Sequence, residues 1–162
     1  MAGVAAAGMI EIVNEIETPA ARDQVWRVIE DLPNYRSWHP MTFFNGKAGL
    51  NAVVEYGFNG TVASVRDPSA PARIAEYQPG SALGWKFGIP ALMWANEWYR
   101  LTPSGTSTCV EHGFRCSGPL SWVAQILATR RLDPMLERAD AALTIHVGRM
   151  PKTAGLGGHP SQ

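Results

Sequence analysis

The chain has 162 residues, 46% of them apolar and 17% charged. That is enough for one domain burying roughly two-thirds of its unfolded surface without help from disulfides or a structural metal. Fourteen basic groups balance fourteen acidic ones, so net charge gives no support to a nucleic-acid or anionic-membrane partner. The imbalance is only local: residues 1–60 carry four basic and seven acidic groups, residues 115–152 six basic and three acidic. Cys109 and Cys116 are seven apart, which on one strand puts them on opposite faces and out of bridging reach. Neither a zinc spacing nor a run of ~18 apolar residues occurs, and Met1–Met9 lacks the basic start of a signal peptide. The expectation is a cytoplasmic protein without metal or cofactor, not stably inserted in a membrane, monomeric or homodimeric.

Residues 1–8 and 149–162 lack periodicity and read as disordered ends of a single domain spanning 9–148. From Met9 to Glu17 the pattern alternates, with Ile10, Ile12, Asn14 and Ile16 on one face of a half-buried strand. Thr18-Pro19 offers a helix cap with proline at the first helical position, followed by a helix presenting Val25, Ile29 and Leu32. A short helical turn over 31–38 carries Pro33. Six strands are expected next, over 41–45, 52–58, 72–77, 82–88, 93–102 and 107–117, parted by Gly and Pro turn signals; Gly60–Arg66 extends the second or adds another. Pro119 to about Val147 is a long helix with Leu120, Val123, Leu127, Leu136, Ala139 and Leu143 at three- and four-residue spacings. Pro134 inside it predicts a kink or break near Leu132-Asp133. The order is α+β: a run of antiparallel strands closed by one long helix.

Several segments resemble the SRPBCC superfamily, also called START-like, birch-pollen-allergen-like or polyketide cyclase/dehydrase. They are Thr18-Pro19-Ala20…Val25-Trp26, Asp31…Tyr35…Trp38-His39-Pro40, Tyr77-Gln78-Pro79…Leu83-Gly84-Trp85 and the hairpin Leu101–Thr106, together with the closing helix. The resemblance spans about 9–148. It implies a helix-grip fold, in which a curved antiparallel sheet wraps the C-terminal helix around a deep hydrophobic cavity. Members include aromatase/cyclases, lipid and hormone binders and a ubiquinone-binding group, so it implies a hydrophobic ligand and leaves the chemistry open.

Register selects the residues facing that cavity. A three-residue loop Pro103-Ser104-Gly105 pairs Thr102 with Thr106 and sets Trp98 opposite Val110, Asn96 opposite His112 and Trp94 opposite Phe114. Glu97, Glu111 and Arg115 then lie in water. A two-residue loop pairs Glu97 with His112 instead and flips one strand. Val54, Tyr56 and Phe58 share a face, as do Leu83, Trp85 and Phe87. With Trp38 from the turn and Trp122, Leu127 and Met135 from the long helix, these form the expected ligand wall. Six tryptophans in one domain suit walls that grip a flat guest, although each ring also serves as ordinary core. Met41, Met93 and Met135 would let that wall adapt.

His112, mid-strand beside Asn96, is the candidate proton shuttle, weighed against a structural histidine bonded to Asn96 or a helix carbonyl. Arg100 and Tyr56 are candidates to polarise a carbonyl; a solvated arginine and a core tyrosine are the competing readings. His39 reads as a loop residue. Arg130, Arg131 and Arg138 with Asp133, Glu137 and Asp140 read as the solvated side of the long helix. No GxSxG, P-loop, GxGxxG after a strand or HExxH occurs. The expected function is binding of a hydrophobic small molecule, with cyclisation, aldol condensation or water loss of a polycarbonyl or polycyclic substrate. The alternative is a non-catalytic carrier of a lipid, quinone or terpenoid.

Overall fold

The computed structural model describes residues 9–58 and 69–151, without the side chains of 122–132. The extension expected at 60–66, the ends 1–8 and 152–162, and the side chains of Trp122, Leu127, Arg130 and Arg131 therefore lie outside the described residues. In chain order the elements are β1 (Met9–Thr18), α1 (Arg22–Glu30), a 3-10 turn (Leu32–Ser37), β2 (Thr42–Asn45), β3 (Val53–Phe58), β4 (Ser69–Gln78), β5 (Ala82–Ile89), β6 (Met93–Ser104), β7 (Ser107–Ser117) and α2 (Ser121–Arg149). The strands form one antiparallel sheet in the order β1-β7-β6-β5-β4-β3-β2. Leu136, Ala139, Leu143 and Val147 of α2 are buried against it, and α2 runs beside β1 and β7. Among the described residues no helix is long and apolar enough to cross a membrane.

Three local expectations change. Thr18 does not cap a helix: it stays in the ladder opposite Thr108, whose Oγ1 donates to the carbonyl of Ala20 at 2.7 Å. After the strand the chain bends at Pro19 and Ala20, where the Ala20 N–H donates to the carbonyl of Thr18 at 2.7 Å, and Ala21, with extended dihedrals, precedes α1. Of the kink or break expected near Pro134, the break does not occur: α2 is continuous from Ser121 to Arg149. The β6–β7 hairpin closes on two residues, Gly105 and Thr106, pairing Ser104 with Ser107. Gly105 has φ 62, the left-handed conformation that a two-residue loop of type II′ requires at its first position and that glycine adopts freely.

That loop sets the faces of β6. Tyr99 lies opposite His112, Glu97 opposite Phe114 and Leu101 opposite Val110. Leu101, Tyr99, Glu97 and Ala95 are buried on the concave side, whereas Arg100, Trp98, Asn96 and Trp94 alternate onto the convex side. The flip anticipated for a two-residue loop is therefore what occurs, with the cross-strand pairing displaced by two residues.

The concave interior has two ends. Under the C-terminal half of α2, Tyr35, Trp85, Leu83, Tyr99, Val110 and Leu143 form a core with 1% exposure or less. Toward the N-terminal half, Ala95, Phe114, Cys116 and Leu136 make a smaller cluster edged by the half-buried Ile12, Phe87 and Met93. Phe58, 37% exposed, and the half-buried Met135 belong to elements bordering this second end.

Candidate active site

His112, Glu97 and Asp140 meet at the heart of this interior, with exposures of 0%, 5% and 3%. His112 sits mid-strand on β7 between Val110 and Phe114, whose inward faces fix its own. Its Nδ1 lies 2.6 Å from Asp140 Oδ1 on α2, and its Nε2 lies 3.2 Å from Glu97 Oε1 on β6. Burial on its own drives an imidazole toward neutrality. The hydrogen bonds and charges of Asp140 and Glu97 outweigh it and raise the His112 pKa to about 9. At neutral pH the ring is an imidazolium donating from both nitrogens.

The network continues at both ends. The Tyr56 hydroxyl of β3 donates to Glu97 Oε2 at 3.1 Å. β3 and β6 are three strand spacings apart, about 14 Å along the sheet, so this bond requires the sheet to curl until its concave side chains meet. On the other side Asn14 Nδ2 of β1 donates to Asp140 Oδ2 at 2.9 Å. The Tyr99 ring stacks on His112 with centroids 4.1 Å apart and planes at 19°. Burial, with the Glu97 charge beside it, pushes the Tyr56 hydroxyl well above an ordinary phenol pKa. Tyr56 is also where the two ends of the interior touch: its ring is 4.4 Å from that of Phe87 and 5.2 Å from that of Phe58.

The constellation can hold and move a proton between oxygen atoms at its Tyr56 end. It offers no ring nitrogen to a ligand, because both are engaged. Among the described residues no group of three His, Cys, Asp or Glu side chains converges as a metal site.

A family model described as polyketide cyclase / dehydrase and lipid transport matches residues 9–144, most of the chain. The chain belongs to that family. The Zhui aromatase/cyclase from Streptomyces sp. R1128 shares the fold with TM-score 0.66 at 13% identity, covering 87% of this chain and 94% of that one. Norcoclaurine synthase from Thalictrum flavum, in complex with dopamine and hydroxybenzaldehyde, gives 0.63 at 14% identity over 89% and 90%. The di-domain aromatase/cyclase StfQ from the steffimycin biosynthetic pathway gives 0.68 at 9% identity; 87% of this chain aligns, and it spans about half of that one. At these identities the likeness is one of fold. No curated protein matches the sequence.

Within this helix-grip polyketide cyclase / dehydrase fold, the sequence-predicted residues separate into groups. His112 and Tyr56 face inward and share the network. Arg100 does not: it stands on the convex face, where its guanidinium bonds Glu76 through Nε and Nη2 and Glu111 through Nη1. Trp94, Asn96 and Trp98 are on that face too, because the two-residue loop shifts the alternation by one. Trp98 is nonetheless only 8% exposed. Its indole covers Gly113, donates to Glu111 Oε1 at 2.7 Å, and is flanked by Arg100 and Arg115. Trp38, Val54, Leu83, Trp85 and Val110 lie in the fully packed end, and Phe58, Phe87, Phe114 and Met135 at or beside the half-buried one.

His39 is buried as well. Its Nδ1 accepts from the backbone N–H of Thr42 at 2.9 Å, and burial lowers its pKa to about 4. Sequence reasoning missed Glu97 and Asp140, assigning both to water. A signal for Asp140 was present: it follows Leu136 by four residues and precedes Leu143 by three, which places it on the apolar face of α2. For Glu97 the decision rested on one loop residue more or less.

Proposed function

We propose that this protein holds a hydrophobic polycarbonyl or polycyclic small molecule against the concave face of its sheet, at the end bordered by Phe58, Phe87, Met93 and Phe114. There it carries out proton-transfer chemistry of the cyclase/dehydrase kind, as a cytoplasmic protein acting alone or as a homodimer. The observation that carries this reading is the hydrogen bond from Tyr56 to Glu97, buried and backed by His112 and Asp140. In an enolisation, a C–H bond beside a ligand carbonyl breaks. Its proton passes to the Tyr56 oxygen as the Tyr56 proton passes to Glu97, and the electron pair becomes the enolate. The reverse transfer protonates a departing hydroxyl. Membership of the family and the aromatase/cyclases that share the fold support the ligand class.

The second reading, a carrier without turnover, draws on one specific observation: both nitrogens of His112 are engaged and its ring has no exposed surface. One experiment separates the two. Native mass spectrometry of freshly purified protein looks for a co-purified apolar guest, and a stabilised poly-β-carbonyl analogue is then offered to wild type, Tyr56→Phe and His112→Gln. Retained binding with turnover lost in both variants supports the enzyme. Binding without turnover in the wild type supports the carrier, and failure to bind any apolar guest removes both readings.

A further inference from the structure

Asn14 is a polar residue flanked by Ile12 and Ile16 on a strand face that begins with Ile10 and ends with Thr18. It sits directly opposite His112 across the β1–β7 ladder, yet its side chain passes the imidazole and donates to Asp140. Asp140 has two directions open to it. Inward, it meets His112. Outward, it borders a groove of about 780 Å³ between β1 and α2, lined also by Glu15, Glu17, Glu137 and Thr144. A carboxylate at that boundary gains hydration by turning out and an ion pair by turning in. The Asn14 amide is the side-chain donor that holds Oδ2 while Oδ1 faces the ring.

We propose that Asn14 is the positioning residue of the site: its amide turns Asp140 from the groove onto His112 and thereby fixes the imidazolium that balances Glu97 behind Tyr56. Its functional meaning rests on the reading of Tyr56 and Glu97 as the reacting pair, but the positioning itself can be measured without any ligand. The groups facing His112 are Asp140 from α2, Glu97 and Tyr99 from β6, and Asn14 from β1. Further out stand His39 in the segment before β2 and Tyr56 on β3, and Glu15, Glu17 and Glu137 line the groove side.

The test is an NMR titration of the full chain with ¹⁵N-labelled histidine, following the two ring nitrogens of His112. In wild type both are expected to carry protons at pH 7 and to titrate above an ordinary imidazole. Asn14→Leu keeps the branching and removes the donor; with a native amide spectrum, its His112 midpoint is expected to fall by at least one pH unit, a tenfold loss of proton affinity. A midpoint that stays or rises overturns the proposal, since a residue needed only for packing would leave it in place. Should Asn14→Leu fail to fold, Asn14→Ala, which removes the donor without adding apolar bulk, answers the same question: its His112 midpoint must also fall, and an unchanged midpoint refutes the role. Loss of turnover in the Tyr56 and His112 variants is a separate result and survives either outcome.

Discussion

Gly113 makes room for Trp98. A Cβ at position 113 would lie 2.1 Å from the indole ring, and a Cβ at Gly84 on the neighbouring strand would lie 3.1 Å from the Trp98 Cβ. A tryptophan therefore lies flat on the convex face of the sheet and stays buried. Gly113→Ala should displace the indole, break its bond to Glu111 and cost about 1–3 kcal/mol in urea unfolding. An unchanged unfolding midpoint would show that the ring does not rest there.

His112 should make stability depend on alkaline pH. Its pKa in the folded state, about 9, lies above the ordinary value of 6.5. The contribution is therefore fully present below about pH 6.5 and is lost as pH rises through 9, on the order of 3 kcal/mol in all. Unfolding free energies at pH 6.5 and 9.5 give the difference directly. His112→Gln should flatten it; a wild-type curve already flat over that range rules the buried imidazolium out.

His39 should act on the acid side. Burial holds its folded pKa near 4, so the unfolded chain takes up a proton below about pH 6.5 that the folded one refuses. Stability falls as pH drops from 6.5 toward 4. His39→Ala leaves the Thr42 N–H without its acceptor and should cost about 1–3 kcal/mol at pH 7 while losing this share of the acid slope. An identical slope in the variant would assign the acid loss to carboxylates alone.

Arg100 should matter little to ligand chemistry. Its side chain is half exposed and paired with Glu76 and Glu111 on the convex face. Arg100→Ala is expected to cost no more than about 1 kcal/mol, as exposed ion pairs do, and to leave guest capture unchanged. Loss of capture in a stably folded Arg100→Ala protein would move the binding surface to the other side of the sheet.

Element order, the span of β7 and the inward face of each strand whose alternation is anchored by several apolar residues, as in Val54-Tyr56 and Val110-His112-Phe114, are legible from the amino-acid order alone. Period-two and period-3.6 patterns are local, so they survive without knowledge of the partner. The face of β6 was not local: tryptophan, asparagine, glutamate and arginine alternate there without a clear apolar side, and one residue of loop length chose which set turned inward. Only the curled sheet brought Tyr56 within reach of Glu97, and only the docking of α2 turned Asp140 from a surface charge into the partner of His112. Charged side chains are legible in sequence as solvated or paired only once their neighbours are known, because burial of a carboxylate is tolerated when a cation and donors stand ready and is costly otherwise.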